Sequence, residues 1–248
     1  MYEEIFSEAR LKRYKVSLND SEYDIINRYL WNIELSAAFY PVLTLLEVVL
    51  RNRIYYTIEN NIKSGWLDEN NSWFEGNYKT INNIIEVKKA HKIVVIDKLI
   101  SELTLGFWVY LFNKSFKTII WDKNGIFDSV FPYFDIKTTD RLSVVAPRLR
   151  DLKNLRNRIF HHEAIFDNSD GLNNKYESVL LVLKWLSNDA YQLSKKISTF
   201  YSVWERQESD YMNKCSLIQL KAYYNHLNNP ENTPEINWFI AEKELMNI

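Results

Sequence analysis

The sequence predicts an all-α fold, a bundle of about eight to ten helices, and three observations carry that reading. Gly and Pro number only 5 each among 248 residues, far below ordinary usage, whereas sheet-rich folds need many turns and Gly-containing loops. Apolar residues recur at helical spacing, most clearly at Val42, Leu45, Leu46, Val49, Leu50, Ile54 and Ile58. Hydrophobic residues make up 46% of the chain and aromatics 15%, enough for a packed interior and too much for a disordered chain.

Each element follows from local signals. Ser17-Leu-Asn-Asp20 supplies capping side chains, and a helix is expected from Ser21 to about Tyr40. Pro41 cannot continue that helix without disturbing it but can open the next, expected to reach about Ile62. Ser64 to Asn77, with Gly65, Gly76 and several Asn, reads as a loop carrying Trp66, Trp73 and Phe74. Tyr78 to Leu103 reads as helix, bent around His91-Lys92, with the β-branched run Ile93-Val-Val-Ile96 open to a strand. Short helices are expected at Gly106 to Phe116 and at Lys123 to Phe131. Thr138-Thr-Asp140 caps a helix running to His162, with Pro147 as a kink or break. An Asn/Asp/Gly loop at Asp167 to Asn174 then precedes one long amphipathic helix from about Lys175 to Gln207. Two further helices, separated by the Asn229-Pro230 turn, complete the chain. No Pro-, Ser- or Gly-rich linker divides it, so residues 1–208 are expected as one helical domain and residues 209–248 as an extension packed on the same core.

Charge and cysteine usage narrow the function classes. A net charge of −1 gives no global basic footprint for a nucleic-acid coat, so any such contact must be local. Arg141, Arg148, Arg150, Lys153, Arg156 and Arg158 form one local candidate, which also reads as a solvated helix face. The single cysteine, Cys215, excludes an internal disulfide framework and reads as a small buried hydrophobe in a reducing compartment. The acidic N-terminus has no apolar signal core, and the apolar stretch from Ser36 to Leu50 is broken by Tyr, Thr, Pro and Glu. A cytoplasmic protein with no membrane partner is expected.

The chain contains no phosphate-binding Gly-rich loop, Walker motif, dinucleotide fingerprint or serine nucleophile elbow. Its four histidines, His91, His161, His162 and His226, lack the i, i+4 spacing of a zinc pair, so no metal and no cofactor is expected. What remains is Leu155-Arg-Asn-Arg-Ile-Phe-His-His162. Histidine moves a proton near neutrality, and arginine holds a phosphate and its transition-state charge in a bidentate grip. With RNA the 2′-OH is an internal nucleophile, so a cation and an acid/base group suffice without a metal. Helical spacing puts Asn157 and Arg158 on the side of His161 and Arg156 farther round, so Arg158 rivals Arg156 and His162 rivals His161. Basic residues near a helix C-terminus are also favourable with no function at all. Leu50-Arg-Asn-Arg-Ile54 repeats as Leu155-Arg-Asn-Arg-Ile159 with unlike flanks, which reads as a shared helical role.

Arg156-Asn157-(x3)-His161 resembles the R-x4-6-H motif of the HEPN ribonuclease superfamily. Leu45-Leu-Glu-Val-Val-Leu-Arg-Asn52, Leu103-Thr-Leu-Gly-Phe-Trp-Val-Tyr-Leu-Phe112 and Leu155-Arg-Asn to His-His-Glu163 resemble its Abi-like (abortive infection) branch, in the family's order over the middle two-thirds of the chain. The resemblance implies a HEPN-like helical fold, endoribonuclease activity in phage defence or as a toxin, a homodimer with its cleft between protomers, and a possible antitoxin or regulatory RNA. It places Arg156, Asn157 and His161 in the catalytic motif, and Glu47 and Arg51 in an E-x3-R element lining the same cleft. Glu47 and Arg51 also stand as an ordinary i, i+4 helix pair. Phe107 and Trp108 read as core or interface, and His91 as part of a solvated face with Lys88, Lys89 and Lys92. The sequence departs from the branch in lacking an N-terminal Lys-Pro-containing segment. It also has Glu163 where a modifiable Tyr would follow the histidine, which favours an RNA- or sensor-controlled protein over a nucleotidyltransferase-silenced one. The alternative expectation is a non-catalytic helical module that binds RNA or protein.

Overall fold

The computed structural model describes residues 2–16, 20–67, 78–91, 95–165, 169–206, 218–219 and 221–246. Among these, close to four-fifths are helical and none lies in a strand, so the chain is all-α. Two helices of one turn, α1 (Tyr2–Phe6) and α2 (Glu8–Leu11), precede the 40-residue α3 (Glu22–Asn61). Then come α4 (Tyr78–His91), α5 (Ile96–Glu102), α6 (Leu105–Tyr110) and α7 (Ile126–Val130). The second half holds α8 (Arg141–Phe160), α9 (Ser169–Leu186), α10 (Asn188–Ile197), α11 (Phe200–Glu205), α12 (residues 221–228) and α13 (Pro234–Met246). The helices gather into two units, one of Met1–Leu35 with Thr199–Ile248 and a second of Ser36–Ser198.

In the first unit, Ser21 caps α3: its Oγ accepts from the Asp24 amide at 3.2 Å, and the Asp24 carboxylate accepts from the Ser21 amide at 2.9 Å. Buried Tyr14 packs edge-on against Tyr29, and Trp31 donates its indole N–H to the Val203 carbonyl at 3.2 Å. The expected cap residues 17–19 lie outside the described residues. Asp20 instead pairs with Arg28.

In the second unit, α3 corrects the expected break at Pro41, because the helix runs through it. An interior proline deletes one N–H and costs about 3 kcal/mol. The carbonyl that loses its donor is Ala37, which is exposed and can bond water instead. Ala38, Phe39, Val42, Leu43 and Leu46 flank the proline and are all buried, each large apolar side chain among them contributing about 1.5–3 kcal/mol. Burial therefore outweighs the defect. By length and composition α3 also passes as a membrane span, with an 18-residue window of mean hydropathy 1.7, of which 39% is buried inside the fold.

Pro147 likewise lies within α8 without ending it, and its orphaned carbonyl belongs to exposed Ser143. Asp140 caps that helix as expected, accepting from the Ser143 amide at 3.4 Å. The single helix expected from Lys175 to Gln207 is three helices, α9 to α11. Ser187 takes an extended conformation and caps α10 through the Ala190 amide at 3.3 Å. The Trp185 carbonyl is claimed by the Tyr133 amide at 3.2 Å, so the ladder has no reason to continue. α9 starts at Ser169, earlier than the expected loop allowed. The single helix expected from Tyr78 to Leu103 is instead two, α4 ending at His91, where the bend was expected, and α5 following an extended Val95. Trp73, Phe74 and residues 92–94 of the possible strand lie outside the described residues, and Ile96 opens α5. Trp66, Phe107 and Trp108 are buried.

Candidate functional site

α8 ends in a hydrogen-bonded cap that sets where both motif histidines stand. The His162 amide donates to the Ile159 carbonyl at 3.0 Å and the Glu163 amide to the Arg158 carbonyl at 2.9 Å. That is the Schellman pattern, which needs a left-handed residue after the helix. His162 takes that place with φ 56, where Gly is usual and where His is one of the better tolerated substitutes. The hydrophobic contact that often closes this motif is replaced by charge: Arg158 Nε lies 3.7 Å from Glu163 Oε2, and Arg158 Nη2 donates to the Ala164 carbonyl. Arg158, a rival to Arg156 on spacing, is thus turned onto the cap.

Arg156 points to a different neighbourhood. Its Nη2 lies 3.5 Å from Glu47 Oε2 on α3, with both side chains about three-quarters buried (25% and 22% exposed). Its guanidinium also sits 4.2 Å from the centroid of the Phe160 ring, a cation–π clamp within one helix turn. Phe160 in turn faces Tyr40 at 6.0 Å, and both rings are exposed. Arg156 Nε is buried without a hydrogen-bond partner, and so is Arg51 Nε. Glu47 therefore bridges to α8 rather than pairing with Arg51 along α3. Asn157 is half-buried, and its carbonyl accepts from the His161 amide at 2.9 Å. His161 is exposed, and its imidazole makes no hydrogen bond, ion pair or ring contact with any described residue. A proton-transfer group needs that access.

The basic window around this site is largely committed elsewhere. Arg141 pairs with Asp128 and covers the Phe127 ring, and Arg148 donates to the Val144 carbonyl at 2.8 Å while lying over Trp185. Arg150 is exposed and Lys153 half-buried. His91 lies 3.6 Å from Glu102 across the α4–α5 junction, and His226 is exposed on α12. Cys215 lies outside the described residues. No group of three or more His, Cys, Asp or Glu converges among the described residues.

Two features were not read from the sequence. The first is the aromatic pair Tyr40–Phe160, of which Phe160 lies over Arg156; only the i, i+4 spacing of Arg156 and Phe160 hinted at it. The second is an open cleft of about 360 Å³ between α8 and α9, lined by Leu152, Leu155 and polar residues of both helices. Asp151, Asn154 and Arg158 share a stripe of α8, but the partner stripe on α9 fell in a segment read partly as loop. Compared with known proteins, the chain matches no family model, no curated protein and no solved structure.

Proposed function

We propose that the chain is a metal-independent endoribonuclease of HEPN type, acting on single-stranded RNA in an abortive-infection or toxin role in the cytoplasm. One observation carries the reading: a clamped, three-quarters buried guanidinium on α8 is followed, at the helix end, by an exposed imidazole with no intramolecular partner among the described residues. Glu47 and Phe160 fix the Arg156 rotamer before substrate arrives, so little side-chain entropy is lost when it meets a phosphate. The 2′-oxygen attacks phosphorus, the P–O5′ bond breaks, and a 2′,3′-cyclic phosphate and a 5′-hydroxyl result. His161 takes the 2′-OH proton or supplies one to the departing 5′-oxygen, Arg156 stabilises the pentacoordinate phosphate, and Asn157 orients one of them. His162 is the reserve acid/base group.

One Arg and one His per chain favour a homodimer, because two acid/base groups flanking the phosphate serve both proton transfers. Exposed Tyr40 and Phe160 beside Arg156 give such a pairing an apolar surface. A second reading, a non-catalytic RNA- or protein-binding module, has the Arg156–Glu47 ion pair in its favour, since that carboxylate occupies one edge of the guanidinium.

The test is cleavage of a loop-containing RNA by purified protein, with and without EDTA, and of the same RNA carrying 2′-deoxyribose at the cut site. Cutting that survives EDTA and stops with the deoxy substrate is the expected result. Binding without cutting, with His161→Ala behaving as wild type in cells, would establish the binding module instead.

A further inference from the structure

α8 carries a second polar face. Asp151, Asn154 and Arg158 stand at i, i+3 and i+7, one stripe of a helix, and α9 brings Asn174, Lys175 and Ser178 to the same cleft of about 360 Å³. That volume is within the range of small-ligand sites, which begin at about 300 Å³. Arg158 is held by Ala164 and Glu163. The other five make no side-chain hydrogen bond or ion pair with any described residue. A cation, a carboxylate, two amides and a hydroxyl therefore converge with their capacity unspent. Their place also matters: the stripe runs toward His161, with Asp151 ten residues before it, a rise of roughly 15 Å along the helix, and Arg158 three residues before it, roughly 4.5 Å.

The donor and acceptor set matches a nucleotide. Lys175 is a point charge for a backbone phosphate. Asn154 and Asn174 each offer a donor and an acceptor, and ionised Asp151 offers acceptors alone. RNA is read on the Watson–Crick edges of unstacked bases. A carboxylate accepts two parallel bonds from the adjacent N1–H and N2–H of guanine. Uracil presents one N–H between two carbonyl oxygens, which a carboxylate repels.

We propose that the α8–α9 cleft is a base-reading subsite for the RNA strand beside the scissile phosphate, with Asp151 selecting guanine and Lys175 holding the adjoining phosphate. The assignment rests on the ribonuclease reading of Arg156 and His161. It is tested with 2′-O-methyl hexanucleotides, which cannot be cut by 2′-OH attack: one of uridines only, one with a single central guanosine. Binding to the full chain is followed by fluorescence anisotropy at constant low salt, and all-ribose versions are assayed for cleavage in parallel. The guanosine oligomer should bind roughly tenfold tighter, the discrimination expected of one good base contact. Asp151→Asn should erase that preference, and Lys175→Gln should weaken both oligomers alike. Asp151 is exposed, so its substitution leaves the core intact. Equal binding of the two oligomers by wild type, or a preference that survives Asp151→Asn, would overturn the subsite. A guanosine preference that Asp151→Asn removes, in a protein that never cuts the all-ribose RNA, supports base reading by the cleft and refutes the ribonuclease reading alone.

Discussion

Leu-Arg-Asn-Arg-Ile occurs twice, at residues 50–54 inside α3 and at residues 155–159 near the end of α8. In both copies the Leu and Ile are buried and the first Arg carries a buried Nε with no hydrogen-bond partner. What differs is the chain that follows. α3 continues to Asn61 through Tyr55, Tyr56 and Thr57, whereas α8 stops at Phe160 and turns. The turn gives Arg158 a carbonyl and a carboxylate to hold, while its counterpart Arg53 has no side-chain partner among the described residues. His161 and its counterpart Tyr56 are both exposed, but His161 stands at the helix end whereas Tyr56 is one more residue of a continuing helix. The same five residues are thus helix interior in one place and a candidate site in the other. A terminus makes the difference, because only there does the backbone leave the ladder and aim successive side chains away from the packed face.

The largest contrast should appear in activity. Arg156→Ala and His161→Ala should each slow RNA cleavage by a factor of about 10²–10⁴. Tyr56→Ala, at the offset of His161 in the other copy, should change it by no more than a factor of about three. Initial rates on one RNA substrate compare them, and equal losses would mean that the helix end has no special role.

In stability, Leu50→Ala and Leu155→Ala should each cost about 2–5 kcal/mol in urea unfolding. Leu50 should lie nearer the top of that range, since α3 is continuous on both sides of the cavity and α8 can relax at its end. The caps should differ in sign. His162→Gly relieves a left-handed backbone and should gain about 0.5 kcal/mol after Gly's own entropy cost. Thr57→Gly, at the matching offset, should lose about 1 kcal/mol or more in mid-helix. A lower melting temperature for His162→Gly would mean that the imidazole contributes more to the turn than its backbone costs.

The smallest effect lies away from both copies. The Lys184 ammonium and the Trp185 indole N–H donate to Asp135 at 2.9 and 3.0 Å and hold its carboxyl below the ordinary range. A carboxyl lowered in the folded state stabilises above its unfolded value of about 3.9, and that contribution disappears as pH falls through the lowered folded value. The pair is exposed, so the contribution is small. Asp135→Asn should flatten the acid limb of a plot of melting temperature against pH and leave the neutral region nearly unchanged.

Local signals were legible where local physics decides. Asp140 as a cap, the end of α4 and the helical run of residues 42–58 all follow from neighbours within one or two turns. The run of α3 through Pro41 was not, because whether that proline breaks a helix depends on the buried side chains around it and on an exposed Ala37. The split at Ser187 was equally hidden, since the Tyr133 amide that takes the Trp185 carbonyl lies 52 positions away in the chain.

The sequence by itself determined the helical class, through scarce Gly and Pro and a 3.6-residue apolar period, and by residue type and spacing it nominated the segment from Leu155 to His162 with two arginines and two histidines in competition. Only the tertiary structure decided how those candidates divide. Spacing made Arg158 the equal of Arg156, but Arg158 is spent on the cap and Arg156 is aimed by Glu47 from a helix more than a hundred residues earlier in the chain. A charged side chain goes to whichever partner the packed backbone brings within a few ångströms, and no periodicity within one helix encodes that distance.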